Sequence, residues 1–142
     1  MTGHIDPSRE SLEAIRHLPP GEPIHMLNLL RFSDVARYPS EHEHADKGWS
    51  GRRAYQEYAR ASGPVFARLG GVIVWQGSFP SMVIGAQEER WDQAFVAQYP
   101  SGAAFLAMLA DPDYRIAVIN RAAALSDSRL IRCTPGEAVT GR

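Results

Sequence analysis

Apolar residues along the chain recur with two different periods, and the changes of period mark out the elements. In residues 6–18, Leu12, Ile15 and Leu18 fall at helical spacing, with Asp6 as the expected N-cap and Pro7 at the first helical position. Pro19-Pro20-Gly21 ends that segment. Residues 24–32 (IHMLNLLRF), bounded by Pro23 and Ser33-Asp34, form a short apolar run of the length of a buried strand. Residues 34–50 lack any period and are rich in charge and histidine, which predicts a long loop of the functional or mobile kind. From 53 to 69 the positions Tyr55, Tyr58, Ala59, Val65, Phe66 and Leu69 return to helical spacing. Pro64 removes a backbone donor there and predicts a kink or break near Ser62-Gly63.

Gly70-Gly71 closes this second helix and leads into a strand over 72–79, with Met82, Val83 and Ile84 as a strand extension. Residues 91–99 alternate as a strand, and Ser101 is placed to cap a helix with the inner stripe Ala104, Phe105, Met108 and Leu109. Asp111-Pro112 restarts a helix through Tyr114, Ala117, Val118 and Arg121, residues 128–133 form the last strand, and 134–142 is a polar tail. After the first helix the order is strand, helix, strand, strand, helix pair, strand. That order predicts a single α+β domain of the ferredoxin-like βαββαβ type over 1–142, with a four-stranded antiparallel sheet and an N-terminal helical extension over 1–22.

Such a sheet has helices on one face only, so its other face must be hydrated or covered. Sorting strand residues by alternation groups Trp75, Phe95 and Tyr99 as the helix-packed set. The opposite set is read as Met26, Asn28, Leu30, Val72, Val74, Gln76, Val96 and Gln98. This face carries too little charge for a hydrated surface, which predicts that a second copy of the chain covers it. Asn28, Gln76 and Gln98 are neutral hydrogen-bonding groups on an otherwise apolar wall, the usual lining of a small-molecule pocket.

Composition narrows the partners. With 15 Lys+Arg against 16 Asp+Glu, the net charge of −1 lacks the concentrated positive excess that nucleic acid requires. No apolar run approaches a membrane span, the start is polar, and the single Cys133 cannot form an internal disulfide, so a reducing, cytoplasmic location is expected. No phosphate loop, nucleophile elbow or paired acidic motif is present, and no cofactor is called for.

The candidate chemistry lies in the loop and the second helix. His42 and His44 in the stretch Glu41-His42-Glu43-His44-Ala45-Asp46 project to one side if extended; beside carboxylates they are metal-ligand types, but without a third His or Cys nearby no metal site is assigned. If the loop folds over the pocket, either imidazole is instead a general base, and a solvated loop is the alternative. Tyr55 is the remaining catalytic candidate, and together with Trp49, which borders the loop and could stack on an aromatic ligand, it completes the expected binding set. His25 and Arg31 read as a satisfied, partly buried histidine and an ion-paired arginine.

Five pieces at consistent spacing, Tyr55-Gln56-Glu57-Tyr58, Gly63-Pro64-Val65-Phe66, Leu69-Gly70-Gly71, Gln98-Tyr99-Pro100-Ser101 and Asp111-Pro112-Asp113-Tyr114, make residues 52–133 resemble the DUF1330 family of small bacterial proteins. That family is similar to the dimeric α/β-barrel superfamily, which includes cofactor-free monooxygenases, muconolactone isomerases and haem-dependent enzymes. The resemblance implies a homodimer with a pocket between sheet and helices. Typical members place Arg and Glu where this chain has Gln76 and Gln98, so chemistry that uses such a pair does not carry over. The sequence therefore predicts a homodimer binding a small, fairly apolar organic molecule, as a cofactor-free isomerase, lyase or oxygenase or, alternatively, as a non-catalytic binding or sensory module.

Overall fold

The computed structural model describes residues 3–136, so part of the predicted polar tail lies outside the described residues. Along the chain run α1 (Arg9–Arg16), β1 (Ile24–Phe32), α2 (Gly51–Arg68), β2 (Val72–Ser78), β3 (Gln93–Tyr99), α3 (Gly102–Ala110), α4 (Pro112–Ala124) and β4 (Leu125–Cys133). The strands form one sheet in the order β2-β3-β1-β4, with every neighbouring pair antiparallel. This is the ferredoxin-like arrangement that the order of elements predicts.

Local chemistry sets the boundaries. Ser8, not Asp6, caps α1: its Oγ accepts from the Ser11 N–H at 3.1 Å, and Pro7 lies ahead of the cap. Ser50, Ser101 and Asp111 cap α2, α3 and α4, each accepting from backbone N–H groups of the first turn. Helix α2 runs unbroken through Pro64. The carbonyl that Pro64 leaves without a donor belongs to Arg60, and both residues are exposed, while buried Ser62 and Val65 hold the helix on the core. Gly70, at φ +86°, supplies the left-handed residue that ends α2. Residues 82–84 are not a strand; Val83 and Ile84 stand exposed in a bend. β4 starts at Leu125, earlier than alternation suggested, because its first residues pair with Phe32 and Arg31 across a bulge.

Gly51 fixes where α2 meets the sheet. Its N–H donates to the Ser33 carbonyl at 2.9 Å, and a Cβ there would collide with the carbonyl oxygens of Ser33 and Ala124. The loop over 34–50 is tied down at both ends, by Ala36 N–H to the Trp49 carbonyl (2.8 Å) and Arg37 N–H to the Ala123 carbonyl (2.9 Å).

The main core joins Ile24, Met26, Ala97 and Tyr99 of the sheet to Val65, Phe105, Met108 and Tyr114 of the helices, with Ile15 of α1 sealing one edge. The two sheet faces therefore differ from the sorting by bulk. Residues directly opposite in a ladder share a face, and Asn28 pairs with Phe95 while His25 pairs with Gln98. Met26, Asn28 and Leu30 thus lie beneath the helices with Phe95 and Tyr99, and His25, Leu27, Leu29 and Gln98 lie on the open face. Alternation fixes the two sides of one strand but not the phase between strands. A bulge between Ile73 and Trp75 then shifts β2, putting Ile73 and Gln76 with Ala97 and Phe95, and Trp75 with Val96 on the open side. The open face is apolar in its middle, where Leu27 and Leu29 are half-buried and Val72, Trp75 and Ile131 are exposed, with Arg31, Asp127 and Arg129 gathered toward one end of β1 and β4.

Candidate functional site

The helix layer does not fill the space above the sheet. Among the described residues it leaves cavities of ≈ 710 and ≈ 470 Å³, both within the usual range of ligand sites. The larger lies between α3, α4, β4 and the N-terminal segment, against Met26, Phe105, Met108 and Val118. The smaller lies between α2 and the sheet, against Phe32, Tyr55, Phe66, Phe95 and Gln76. Asn28, Tyr58, Tyr99 and Arg121 line both.

These four residues concentrate the polar character of the cleft. Asn28 is buried, and its Nδ2 donates to the Met26 carbonyl at 3.1 Å. The Tyr58 and Tyr114 hydroxyls share a hydrogen bond of 2.9 Å, and the Tyr99 hydroxyl donates to Met108 Sδ at 3.9 Å. Burial pushes the phenols of Tyr55, Tyr99 and Tyr114 well above the usual tyrosine range, and the positive charge of Arg121 opposes this only in part. They are neutral hydroxyls near pH 7, suited to hydrogen bonding rather than to acting as anionic bases. Arg121 is itself buried, and its Nη1 donates to the Ile5 carbonyl at 2.6 Å.

The N-terminal segment forms one wall of the larger cavity. Ser128 Oγ donates to the His4 carbonyl at 2.5 Å, and the His4 N–H donates to Asp127 at 2.9 Å. Burial acts to raise the Asp127 carboxyl, but hydrogen bonds from His4, Arg129 and Ser128 outweigh it and hold its pKa below the usual value.

Of the residues singled out from sequence, Asn28, Gln76 and Tyr55 come together in the smaller cavity. Gln98 does not; on the open face its Oε1 lies 2.9 Å from His25 Nε2. His42, His44 and Trp49 also line neither cavity. They form an aromatic cluster around Tyr38, with ring centroids 4.7 Å apart for Tyr38 and His42 and 4.3 Å for His44 and Trp49. The Tyr38 hydroxyl anchors this cluster to α4 through Asn120 Oδ1 at 2.5 Å. Burial, followed by the charge of Lys47, lowers the His44 pKa, so this imidazole is neutral at pH 7. Among the described residues no three His, Cys, Asp or Glu side chains gather as a metal site. Arg31 donates to the Arg90 carbonyl at 2.8 Å and lies over the Trp91 ring, and among the described residues it joins no ion pair.

Arg121 and the Tyr58–Tyr114 hydroxyl pair were not expected as site residues. A signal for Arg121 was present: it falls seven, four and three residues after Tyr114, Ala117 and Val118, which puts a charge on the apolar stripe of α4.

The family model described as "Domain of unknown function (DUF1330)" matches residues 49–132. A protein of unknown function from Rhodopseudomonas palustris is 51% identical over 96% of this chain and 100% of that one, with a TM-score of 0.87. Two more distant structures share the fold: a cofactor-independent oxygenase from Streptomyces nogalater (14% identity, 83% of this chain and 97% of that one, TM-score 0.51) and a hydroxynitrile lyase from Passiflora edulis (12%, 84% and 98%, TM-score 0.53). No curated protein matches the chain.

Proposed function

Because the chain belongs to the DUF1330 family, a domain of unknown function, we propose its role from the geometry of the cleft: it binds a small, largely apolar organic molecule between the sheet and the helices. The observation that carries this reading is the shared wall of Asn28, Tyr58, Tyr99 and Arg121, a few converging polar groups between two otherwise apolar cavities. The working unit is a homodimer joined through the open sheet face, which supplies Leu27, Leu29, Val72, Trp75, Val96 and Ile131 as an apolar patch without a helix over it.

Thermal-shift screening against ring compounds, lactones and aromatic acids tests the binding reading. Ligands of the cleft raise the melting temperature of the wild type and fail to do so when Asn28→Leu removes the amide from the shared wall. Equal stabilisation of both proteins assigns the ligand elsewhere and defeats the proposal.

A second reading, cofactor-free turnover, draws on the Tyr58–Tyr114 hydroxyl pair, which puts exchangeable protons beside Arg121 inside the cleft. The fold is shared with a cofactor-independent oxygenase and a hydroxynitrile lyase, but fold does not select a reaction. Product formation from a bound ligand that is lost in Tyr58→Phe, with binding retained, distinguishes turnover from simple binding.

A further inference from the structure

Resting on the small-molecule reading of the cleft, we propose that its ligand carries a carboxylate, received by Arg121, with the apolar body of the ligand against the aromatic wall of the smaller cavity.

The first ground is the state of Arg121. The residue is 9% exposed, and among the described residues one of the five N–H donors of its guanidinium has an acceptor, the Ile5 carbonyl. Among the described residues no carboxylate lies within ion-pair distance of it. The tyrosines whose titration it affects, Tyr55, Tyr99 and Tyr114, are held neutral by burial and cannot balance it. A buried cation is ordinarily paired, because its desolvation is otherwise uncompensated. A guanidinium with free donors facing a cavity is suited to a planar, two-oxygen anion.

The second ground is the charge of the cleft as a whole. The chain is slightly acidic, at −1, yet the two cavities are lined by the cations Arg52, Arg121 and Arg132 against the single carboxylate of Asp6, while Arg129, which also borders the larger cavity, turns its guanidinium to Asp127 and the Trp91 ring on the open side of the sheet. Arg129 is already paired with Asp127 at 2.8 Å, and Asp6 lies in the larger cavity. The smaller cavity has no acidic lining residue at all. Cations gathered in a cleft attract an anionic ligand and exclude cationic ones. The smaller cavity's walls, Phe32, Tyr55, Phe66 and Phe95, suit a ring or chain bearing one such group.

Matched acids and amides test this: benzoate against benzamide, phenylacetate against phenylacetamide, and 2-naphthoate against 2-naphthamide, by thermal shift and calorimetry on the full chain. The acids are expected to bind the wild type at least about tenfold more tightly than the amides, the scale of one charge-assisted pair. Arg121→Met is expected to erase that preference while melting no lower than the wild type without ligand, since it removes an unpaired buried charge. Arg121→Lys keeps the charge without the fork and is expected to retain part of the preference. If Arg121→Met does not fold, Asn28→Asp serves instead: a carboxylate on the same wall is expected to abolish acid binding. Amides that bind as well as acids, or an acid preference that survives either Arg121→Met or Asn28→Asp, overturns the carboxylate proposal and leaves the cleft reading intact. Failure of acids and amides alike overturns the carboxylate proposal; the cleft reading falls only if the ring compounds and lactones of the thermal-shift screen fail as well.

Discussion

Replacing Trp75 with aspartate is expected to dissociate the proposed homodimer. Trp75 projects from β2 on the face that no helix covers, opposite Val96, and is 55% exposed in a single chain. A tryptophan contributes up to about 250 Å² of contact surface, so about 130 Å² per copy remains for a partner. At about 25 cal/mol per Å², that is about 3 kcal/mol per copy. A two-fold interface uses the same patch twice, which doubles the figure to about 6 kcal/mol and corresponds to about four orders of magnitude in the dissociation constant. Area converts imperfectly into affinity, yet even a third of that amount weakens association about thirtyfold. Sedimentation equilibrium is the assay. The wild type is expected at twice 15.7 kDa and the variant near 15.7 kDa with an unchanged far-ultraviolet spectrum, because Trp75 takes no part in the helix-packed core. A wild type that is monomeric, or a variant that dimerises as well as the wild type, refutes the reasoning.

Other perturbations address the core, the loop and the cleft. Leu30→Ala removes a side chain with no exposed surface and is expected to cost about 2–5 kcal/mol in denaturant unfolding, against about 1 kcal/mol for loss of the α3 cap in Ser101→Ala. His44 has its pKa lowered in the folded chain, so its contribution to stability is fully present above the unfolded value of 6.5 and is lost as pH falls through the folded value. The melting temperature of His44→Phe is therefore expected to fall less than that of the wild type on acidification, and an identical fall in the two contradicts the assignment. Ala59→Phe adds a ring to the lining of the smaller cavity and is expected to weaken ligand binding with little loss of stability, whereas unchanged affinity moves the ligand to the larger cavity.

The order of elements was legible because each boundary has its own chemistry: Ser101 and Asp111 at helix starts, Gly70 at a helix end, and an apolar run of strand length at 24–32. The division between the sheet faces was not. It depends on the phase between β1 and β3 and on the bulge after Ile73, both set by long-range hydrogen bonds that leave no local mark. Asn28 and Gln76 consequently reached the cleft by a different face from the one expected, and Gln98 went to His25. The histidine loop was recognisable as unusual, but its rings are spent on one another and on Tyr38 and Trp49. Arg121 is visible in the sequence on the stripe of α4 but not as a site residue, because one charge on an apolar stripe is a weak signal until the space above it is seen to be unfilled by side chains.

Whether an organic ligand is held between the sheet and the helices is decided by a crystal structure of the protein with 2-naphthoate. The expected placement has the naphthyl ring between Phe66 and Phe95 with its carboxylate at the Arg121 guanidinium. A ring seated instead on the open sheet face at Trp75, or in the loop cluster beside Trp49, or no bound ligand at saturation, contradicts it.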